Sequence, residues 1–261
     1  MLLKGKIALV TGVANDRSIA YAIAKQYREQ GAIVILSYQG EKLKERVQSI
    51  AQDLGIEHIF EVDATDQTQV KNMFEEINKK YNGLDIIIHS IAFARKEELQ
   101  GGISESSEEG FLLAQQISAY TLISLARYGA PLMEKRGGGS ISALTYIGST
   151  RAMPNYNAMG VAKASLEAIV RYLALELGHK NIRVNSISPG PINTLAARGI
   201  TGFKDMYKGA LDSQLIKRNI SPEDVAGTAV FLASDLSTMV TGMIIFVDGG
   251  FHCGTSFNLE P

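Results

Sequence analysis

Short apolar runs alternate with longer amphipathic runs along this chain of 261 residues. The runs at 6–11 and 84–89 are continuous and apolar, as is typical of strands that are buried on both faces. The stretches 18–30 and 155–177 instead repeat apolar side chains at helical spacing. This alternation predicts a single doubly wound α/β domain of the Rossmann type, with a parallel seven-stranded sheet and helices on both faces.

The predicted elements fill most of the chain. Strands are expected at 6–11, 32–38, 57–62, 84–89, 140–146, 182–187 and 243–247. Helices are expected at 18–30, 41–54, 66–81, 110–134, 155–177 and 222–233. In such a sheet a ligand binds outside the carboxyl ends of the strands, where the strand order reverses. The sequence therefore predicts a crevice at that edge.

The segment 190–219 breaks the rhythm, because it has several glycines and only weak helical pieces. A connection of about 30 residues without a strand is long, and long connections are often functional. We therefore expect a substrate-binding lid at 190–219 within a single domain that spans 1–261. A disordered insertion is the alternative.

Composition excludes several classes of protein. Lysine and arginine total 26 against 27 aspartates and glutamates, so no basic excess suggests a nucleic-acid partner. The lone Cys253 excludes an intrachain disulfide and fits a reducing compartment. The N-terminus lacks a secretory pattern, and the apolar runs are too short to span a membrane. We expect a cytoplasmic protein without a membrane or metal partner, since the four histidines are scattered.

The turn after the first strand is a candidate phosphate site. Gly12 permits a tight turn, and the helix that follows begins near Ser18 and Ile19. Backbone amides at a helix N-terminus suit a pyrophosphate. A glycine turn without a ligand is the alternative, because the fuller glycine motif of dinucleotide sites is absent.

The residues that follow the second and third strands are candidates for binding the adenosine part of a dinucleotide. The second strand ends without an acidic residue, so Gln39 is the candidate partner of the adenosine ribose. No arginine directly follows that strand to bind a 2′-phosphate, which favours NADH over NADPH. Asp63 follows the third strand, where it would accept a hydrogen bond from adenine or cap a turn.

Tyr156 and Lys163 form the strongest local motif. Seven positions are about two helical turns, so the two side chains share a face, with Gly160 between them leaving room for a flat ligand. An ammonium near a phenol lowers the pKa of the phenol. Such a pair beside a nicotinamide donates a hydrogen bond or a proton at neutral pH. A surface lysine and a half-buried tyrosine at chance spacing are the alternative.

Several motifs together resemble the short-chain dehydrogenase/reductase superfamily over residues 4–251. They are the Thr11-Gly12 turn, Asp63, Tyr156-x6-Lys163 and the late Val247-Asp248-Gly249-Gly250. Within it, the chain is similar to the divergent enoyl-[acyl-carrier-protein] reductases that have a second tyrosine. The segments His-Ser-Ile-Ala-Phe-Ala at 89–94 and Gly-Pro-Ile-Asn-Thr-Leu-Ala-Ala at 190–197 carry this likeness, as does Tyr146 in place of the usual catalytic serine. Ala64, Ala92 and Pro189 depart from the pattern.

This resemblance implies the last reductive step of fatty-acid elongation. Hydride passes from NADH to C3 of a trans-2-enoyl thioester, and the resulting enolate is protonated at C2. By the family pattern Tyr156 binds the carbonyl oxygen and stabilises the enolate, while Lys163 binds the nicotinamide ribose. Tyr146 is the second active-site tyrosine, which contacts the thioester, lines the pocket or serves only in packing.

The resemblance also assigns binding residues and partners. Cofactor contacts are expected at Gly12, Ser18, Ile19, Gln39, Asp63, Ala64, Ile91, Lys163, Ile192, Asn193, Thr194, Leu195 and Ala196. The acyl substrate would contact Ala94, Tyr156, Phe203 and Met206. The partner is an acidic acyl carrier protein, so a local basic patch is expected near the lid at Arg198, Lys204 and Lys208. The family also implies a homotetramer, with the helices at 110–134 and 155–177 and the last strand as candidate interfaces.

Three other functions compete with this interpretation. A 3-ketoacyl or other carbonyl reductase of the superfamily would keep the serine that Tyr146 replaces. A non-catalytic dinucleotide-binding regulator would commonly lose Tyr156 or Lys163, and both are present. A purely structural oligomer would not need the cofactor residues.

Overall fold

The computed structural model describes residues 1–195, 197 and 201–254. Within these residues, seven parallel strands form one sheet in the order β3-β2-β1-β4-β5-β6-β7. The strands are β1 (Ile7–Thr11), β2 (Ile33–Tyr38), β3 (His58–Glu61), β4 (Ile86–His89), β5 (Gly139–Leu144), β6 (Ile182–Pro189) and β7 (Ile244–Val247). This architecture confirms the predicted fold class.

Helices cover both faces of the sheet. They are α1 (Ile19–Glu29), α2 (Glu41–Asp53), α3 (Gln67–Tyr81), α4 (Glu108–Gln115), α5 (Thr121–Glu134), α6 (Asn157–Leu177), α7 (Phe203–Ser213) and α8 (Pro222–Ala233). Side chains of β1 alternate between two cores, as a pleated strand requires. Ala8 and Val10 join the core with α1, α2 and α8, while Ile7 and Leu9 join the core with α3, α5 and α6.

The strand order reverses beside β1, which pairs with β2 on one side and β4 on the other. At this point Gly12 has a φ of 78°, and a Cβ added there would lie 1.9 Å from the Ser90 carbonyl oxygen. Only glycine lets the chain leave β1 so close to the backbone that follows β4. The two turns together shape the edge where the ligand crevice was expected.

The long helix predicted at 110–134 is present but not uniform. A π-helical turn at Gln116–Tyr120 separates α4 from α5. There the Ser118 hydroxyl donates to the Phe93 carbonyl at 3.1 Å and accepts from the Phe93 amide at 3.0 Å. Wider turns of this kind are frequent at functional sites. Helical periodicity does not predict the turn, because Ser118 bonds to Phe93, which lies far away in the sequence after β4.

The helix predicted at 155–177 begins two residues later, at Asn157. Asn155 has a left-handed backbone with a φ of 58°, a conformation that asparagine tolerates better than most residues. Tyr156 is therefore the residue that precedes the first helical turn, rather than a member of the helix. This places its ring at the open end of α6.

The start of α8 has a reciprocal cap. The Ser221 hydroxyl accepts from the Asp224 amide, and the Asp224 carboxylate accepts from the Ser221 amide at 2.9 Å. We expect Ser221→Ala to lower the free energy of unfolding by about 1 kcal/mol, and Ser221→Gly by only a few tenths. Urea unfolding of the two variants checks the difference, and equal losses would contradict a capping role.

The segment proposed as a lid contains regular structure. Residues 190–195 are irregular, and α7 occupies 203–213 before the chain reaches α8. The boundaries of the lid and of the single domain remain predictions. None of the helices in the described ranges has the length and apolar character needed to cross a membrane.

Candidate active site

A cavity of about 520 Å³ opens at the carboxyl ends of β4, β5 and β6, where the crevice was predicted. Its wall combines segments that are far apart in the sequence. From the residues predicted to bind cofactor or substrate, the wall includes Ile19, Ala94, Tyr146, Tyr156, Ile192, Thr194, Phe203 and Met206. The lining is mostly apolar, which suits an acyl chain better than a sugar or a peptide.

Two tyrosines stand edge to face in this wall. The ring centroids of Tyr146 and Tyr156 lie 5.0 Å apart at 67°. The lack of a side chain at Gly148 makes room for both rings, because a Cβ at that position would lie 2.5 Å from Tyr156 Cδ1 and 3.1 Å from Tyr146 Cδ1. The Tyr146 hydroxyl donates to the Met206 sulfur of α7 at 3.6 Å, which joins the tyrosine pair to the lid.

Burial controls the protonation of both phenols. It raises the pKa of Tyr146 to about 12 and raises the pKa of Tyr156 still further above its ordinary value. The expected lowering of the Tyr156 pKa by Lys163 is therefore wrong for this structure, because the loss of hydration dominates. Both tyrosines are protonated at neutral pH, so each hydroxyl has a proton to donate.

Lys163 lies in α6 with only 5% of its surface exposed. Its Nζ donates to the Leu144 carbonyl at the end of β5 over 2.7 Å. Burial lowers the pKa of Lys163 to about 8, and the charge of Glu167 partly opposes this effect. The ammonium is thus mostly protonated at neutral pH, but it is close to the range in which it loses its charge.

Gly160 has a different role from the one expected. A Cβ there would lie 2.8 Å from the Gly148 carbonyl oxygen and 3.6 Å from Tyr156 Cδ1. The missing side chain therefore lets the loop at 147–149 pack against α6. It does not leave space for a flat ligand.

The other predicted cofactor residues lie along the same edge of the sheet. Gly12 follows β1, Gln39 follows β2, Asp63 and Ala64 follow β3, and Ile91 follows β4. Their side chains differ in exposure and in the hydrogen bonds that they already form. Gln39 is exposed, whereas Asp63 Oδ1 accepts from the amide and hydroxyl of Thr65, as a turn cap does.

Ser18 caps α1. Its hydroxyl accepts from the Tyr21 amide at 3.2 Å and donates to the Asn15 carbonyl at 2.8 Å. The N-terminus of α1 nevertheless faces the edge at which β1 and β4 end, as a phosphate site requires.

The predicted residues after β6 divide between two cavities. Ile192 and Thr194 line the first cavity, while Asn193 and Leu195 line a second cavity of about 450 Å³ beside the turn at 15–17 and α2. Ala196 and Arg198 lie outside the described residues, as does the side chain of Lys204. Lys208 is exposed on α7.

Buried polar atoms at the strand ends fit a polar ligand. His89 Nε2 bonds to the Thr121 hydroxyl at 2.8 Å, and that hydroxyl donates to the Ile117 carbonyl. Nε2 therefore carries the proton, and Nδ1 is an acceptor. Within the described part of the chain, His89 Nδ1 and Ser188 Oγ are buried without a partner. Buried polar atoms are normally satisfied, so ordered water or the hydroxyls of a nucleotide suit this edge.

Two features of the site escaped sequence reasoning. Glu167 is 4% exposed and binds the hydroxyls of Thr145 and Ser149, each at 2.6 Å. The signal in the sequence was an acidic residue four positions after Lys163, next to the apolar stripe that contains Leu166, Ile169 and Val170. Arg95 and Lys96 also line the cavity, yet no motif marks them.

A set of hydrogen bonds, here called the Thr201 clasp, joins the lid to the opposite wall. The Gln100 amide donates to the Thr201 hydroxyl at 2.6 Å, and the Asn155 amide donates to the Thr201 carbonyl at 2.9 Å. Asn157 in turn donates to the Gly101 carbonyl at 3.0 Å. The clasp brings the lid, the loop after β4 and the start of α6 into contact.

Comparisons with known proteins agree in one family. The family model described as enoyl-(acyl carrier protein) reductase matches residues 12–252. The NADH enzyme of that name from Rickettsia typhi is 47% identical over 96% of this chain and 95% of its own length. The NADPH enzyme from Staphylococcus aureus MRSA252 is 46% identical over 96% and 98%. The crystal structure of the NADH enzyme from Aquifex aeolicus is similar, with a TM-score of 0.95, 45% identity and coverage of 98% and 100%.

Proposed function

Since the chain belongs to the enoyl-(acyl carrier protein) reductase family, we propose that the cavity between the tyrosine pair and the lid is its active site. The reaction is the NADH-dependent reduction of trans-2-enoyl thioesters of acyl carrier protein in fatty-acid elongation. The observation that carries the assignment is the pair of protonated tyrosines in an apolar wall at the carboxyl edge of the sheet.

Tyr156 is the proposed oxyanion donor. NADH, when bound, supplies the hydride that C3 of the enoyl chain receives. Negative charge then develops on the thioester oxygen, where the protonated phenol of Tyr156 strengthens its hydrogen bond. Tyr146 positions Tyr156 by its edge contact and closes the wall toward Met206.

Lys163 is proposed to bind the nicotinamide ribose. Its anchoring bond to Leu144 uses one donor of an ammonium that has three. Gln39, exposed after β2, is the proposed partner of the adenosine ribose. Glu41 stands in the first turn of α2 beside it, and its carboxylate is paired with Lys44 Nζ at 3.1 Å. No arginine directly follows β2 to bind a 2′-phosphate, which supports NADH over NADPH, although relatives of both kinds exist.

The acyl carrier protein is expected to reach the cavity from the lid side. Lys96 in the cavity wall and the exposed Lys208 on α7 provide the positive charge that an acidic partner needs, whereas the Arg95 guanidinium is paired with Glu109. The chain has no overall basic excess, so a nucleic-acid partner is not proposed. The lone cysteine supports a reducing compartment, and we propose the cytoplasm.

A homotetramer is the proposed assembly. Large apolar side chains are exposed on α6, where Tyr172 is 74% and Leu175 is 80% exposed. Met239 and Met243 before β7 are 94% and 53% exposed. Apolar surface of this kind is typical of subunit contacts. Light scattering of the purified protein measures the mass of the assembly.

Comparing two substrates tests the function. The purified protein is mixed with NADH and a trans-2-enoyl thioester, and separately with a 3-ketoacyl thioester, while the NADH absorbance is followed. We expect NADH to be oxidised rapidly in the mixture with the enoyl thioester and not in the mixture with the ketoacyl thioester. Fast oxidation with the ketoacyl thioester alone would establish a carbonyl reductase instead. Parallel assays with NADPH are expected to be slower at equal concentration.

A further inference from the structure

Two buried charges lie one turn apart on α6. Lys163 is 5% exposed and Glu167 is 4% exposed. Charged side chains are almost never buried to this degree unless they are paired or hydrogen-bonded. The proposed function gives Lys163 a role but leaves the cost of burying Glu167 unexplained.

Glu167 fixes both ends of the segment that carries the second tyrosine. Its Oε1 accepts from Thr145 Oγ1 and from Ser149 Oγ, each at 2.6 Å. Tyr146 and Gly148 lie between these two anchors, and Gly148 sets the distance to Tyr156. A movement of the carboxylate therefore moves the wall that positions the oxyanion donor.

Glu167 also acts on Lys163 through its charge. Burial lowers the pKa of Lys163 to about 8, and the negative charge of Glu167 is the opposing influence. Among the described residues, the neighbouring titratable side chains His89, Tyr146 and Tyr156 carry no charge at neutral pH. Burial together with the Lys163 charge lowers the pKa of His89 on β4 to about 3, and burial keeps Tyr146 and Tyr156 protonated.

We propose that Glu167 is a positioning residue of the reaction, which holds the 145–149 wall by two hydrogen bonds and supplies the counter-charge of Lys163. The inference rests on the proposed role of Lys163 in binding the cofactor. It separates two functions of one carboxylate that different substitutions can remove one at a time.

Glu167→Gln removes the charge and keeps an oxygen that accepts from both hydroxyls. Without the counter-charge, we expect the pH at which Lys163 loses its proton to fall by about one unit. NADH affinity, measured by fluorescence titration without acyl substrate, should then drop about two-fold at about pH 7 and about five-fold at about pH 8 relative to the unmodified protein. At about pH 6 the two should bind alike. Superimposable pH profiles would overturn the counter-charge role.

Thr145→Val is the matched variant, because it removes one anchoring hydroxyl and leaves the charge. It should keep the pH profile of NADH binding and lower kcat for the enoyl thioester about five-fold, the equivalent of about 1 kcal/mol. An unchanged kcat would overturn the positioning role. Lys163→Arg should abolish the alkaline loss of binding, because a guanidinium stays charged. If that loss persisted, it would belong to another group, and the counter-charge role would fall.

Glu167→Asp provides a second test if the glutamine variant does not fold. It keeps the charge but shortens the reach to the hydroxyls, so the pH profile should be preserved while kcat falls. A shifted profile with an unchanged kcat would contradict the proposal. The binding titrations contain no thioester, so failure of the unmodified protein to reduce enoyl chains would remove the proposed function without deciding the role of Glu167.

Discussion

Tyr156→Phe should lower kcat/KM for a trans-2-enoyl thioester by about 100-fold. The ring remains to pack against Tyr146 and Gly148, so the wall keeps its shape and only the donor is lost. An oxyanion donor contributes most in the transition state, where the charge on the thioester oxygen is largest. The loss should therefore fall mainly on kcat, which steady-state assays over a range of thioester concentrations determine.

The control for this variant is Tyr146→Phe, which removes the other phenol from the same pair. Its hydroxyl donates to the Met206 sulfur, a weak acceptor, so a loss of less than about ten-fold is expected. NADH binding should be unchanged in both variants. If Tyr156→Phe kept its full rate while Tyr146→Phe lost it, the oxyanion donor would have to be reassigned to Tyr146.

Gly148→Ala should lower the rate at least as much as Tyr156→Phe does, although the residue bears no reactive group. The new methyl would lie 2.5 Å from Tyr156 Cδ1 and 2.8 Å from Tyr156 Cε1, so the ring must move. A displacement of about 1 Å at an active site can cost about 100-fold in rate. The overpacking should also lower the free energy of unfolding by about 1–3 kcal/mol. Steady-state kinetics and urea unfolding measure the two effects.

Gly227→Ala is the matched control, because this exposed glycine of α8 has open space around its missing side chain. Alanine favours the helix over glycine, so this variant should gain about 0.5–1 kcal/mol of stability with an unchanged rate. A Gly148→Ala protein with normal kcat would show that the two rings do not need their present positions.

The fold could be predicted because each strand is a continuous apolar run bounded by turns. Leu9 and Ile87 lie in runs of apolar residues, which indicate that these side chains are buried. The helices between successive strands indicate that the strands are parallel. The boundaries at the active site were less accurate. Asn155 adopts a left-handed backbone that places Tyr156 before α6, and no local pattern in the sequence indicates this.

Several predicted residues, such as Tyr146, Tyr156 and Ile192, line one cavity, but the effect of burial on their chemistry could not be predicted. The spacing of Tyr156 and Lys163 suggested an ammonium acting on a phenol, whereas burial raises the pKa of that phenol. The amount of protein packed around a side chain depends on distant segments, so its hydration cannot be derived from spacing. The same reason explains why Gly160, which was expected to make room for a ligand, instead packs against the Gly148 carbonyl.

The Thr201 clasp has a consequence for substrate selection. Asn155 holds Thr201 of the lid through its side chain, while its backbone sets the position of Tyr156, the next residue. The contact with Thr201 and the position of Tyr156, the proposed oxyanion donor, therefore depend on one residue. If a bulky acyl chain occupies the cavity and prevents the clasp from forming, we expect the Tyr156 phenol to be misaligned. Discrimination between chain lengths should accordingly appear as a difference in turnover rather than in affinity.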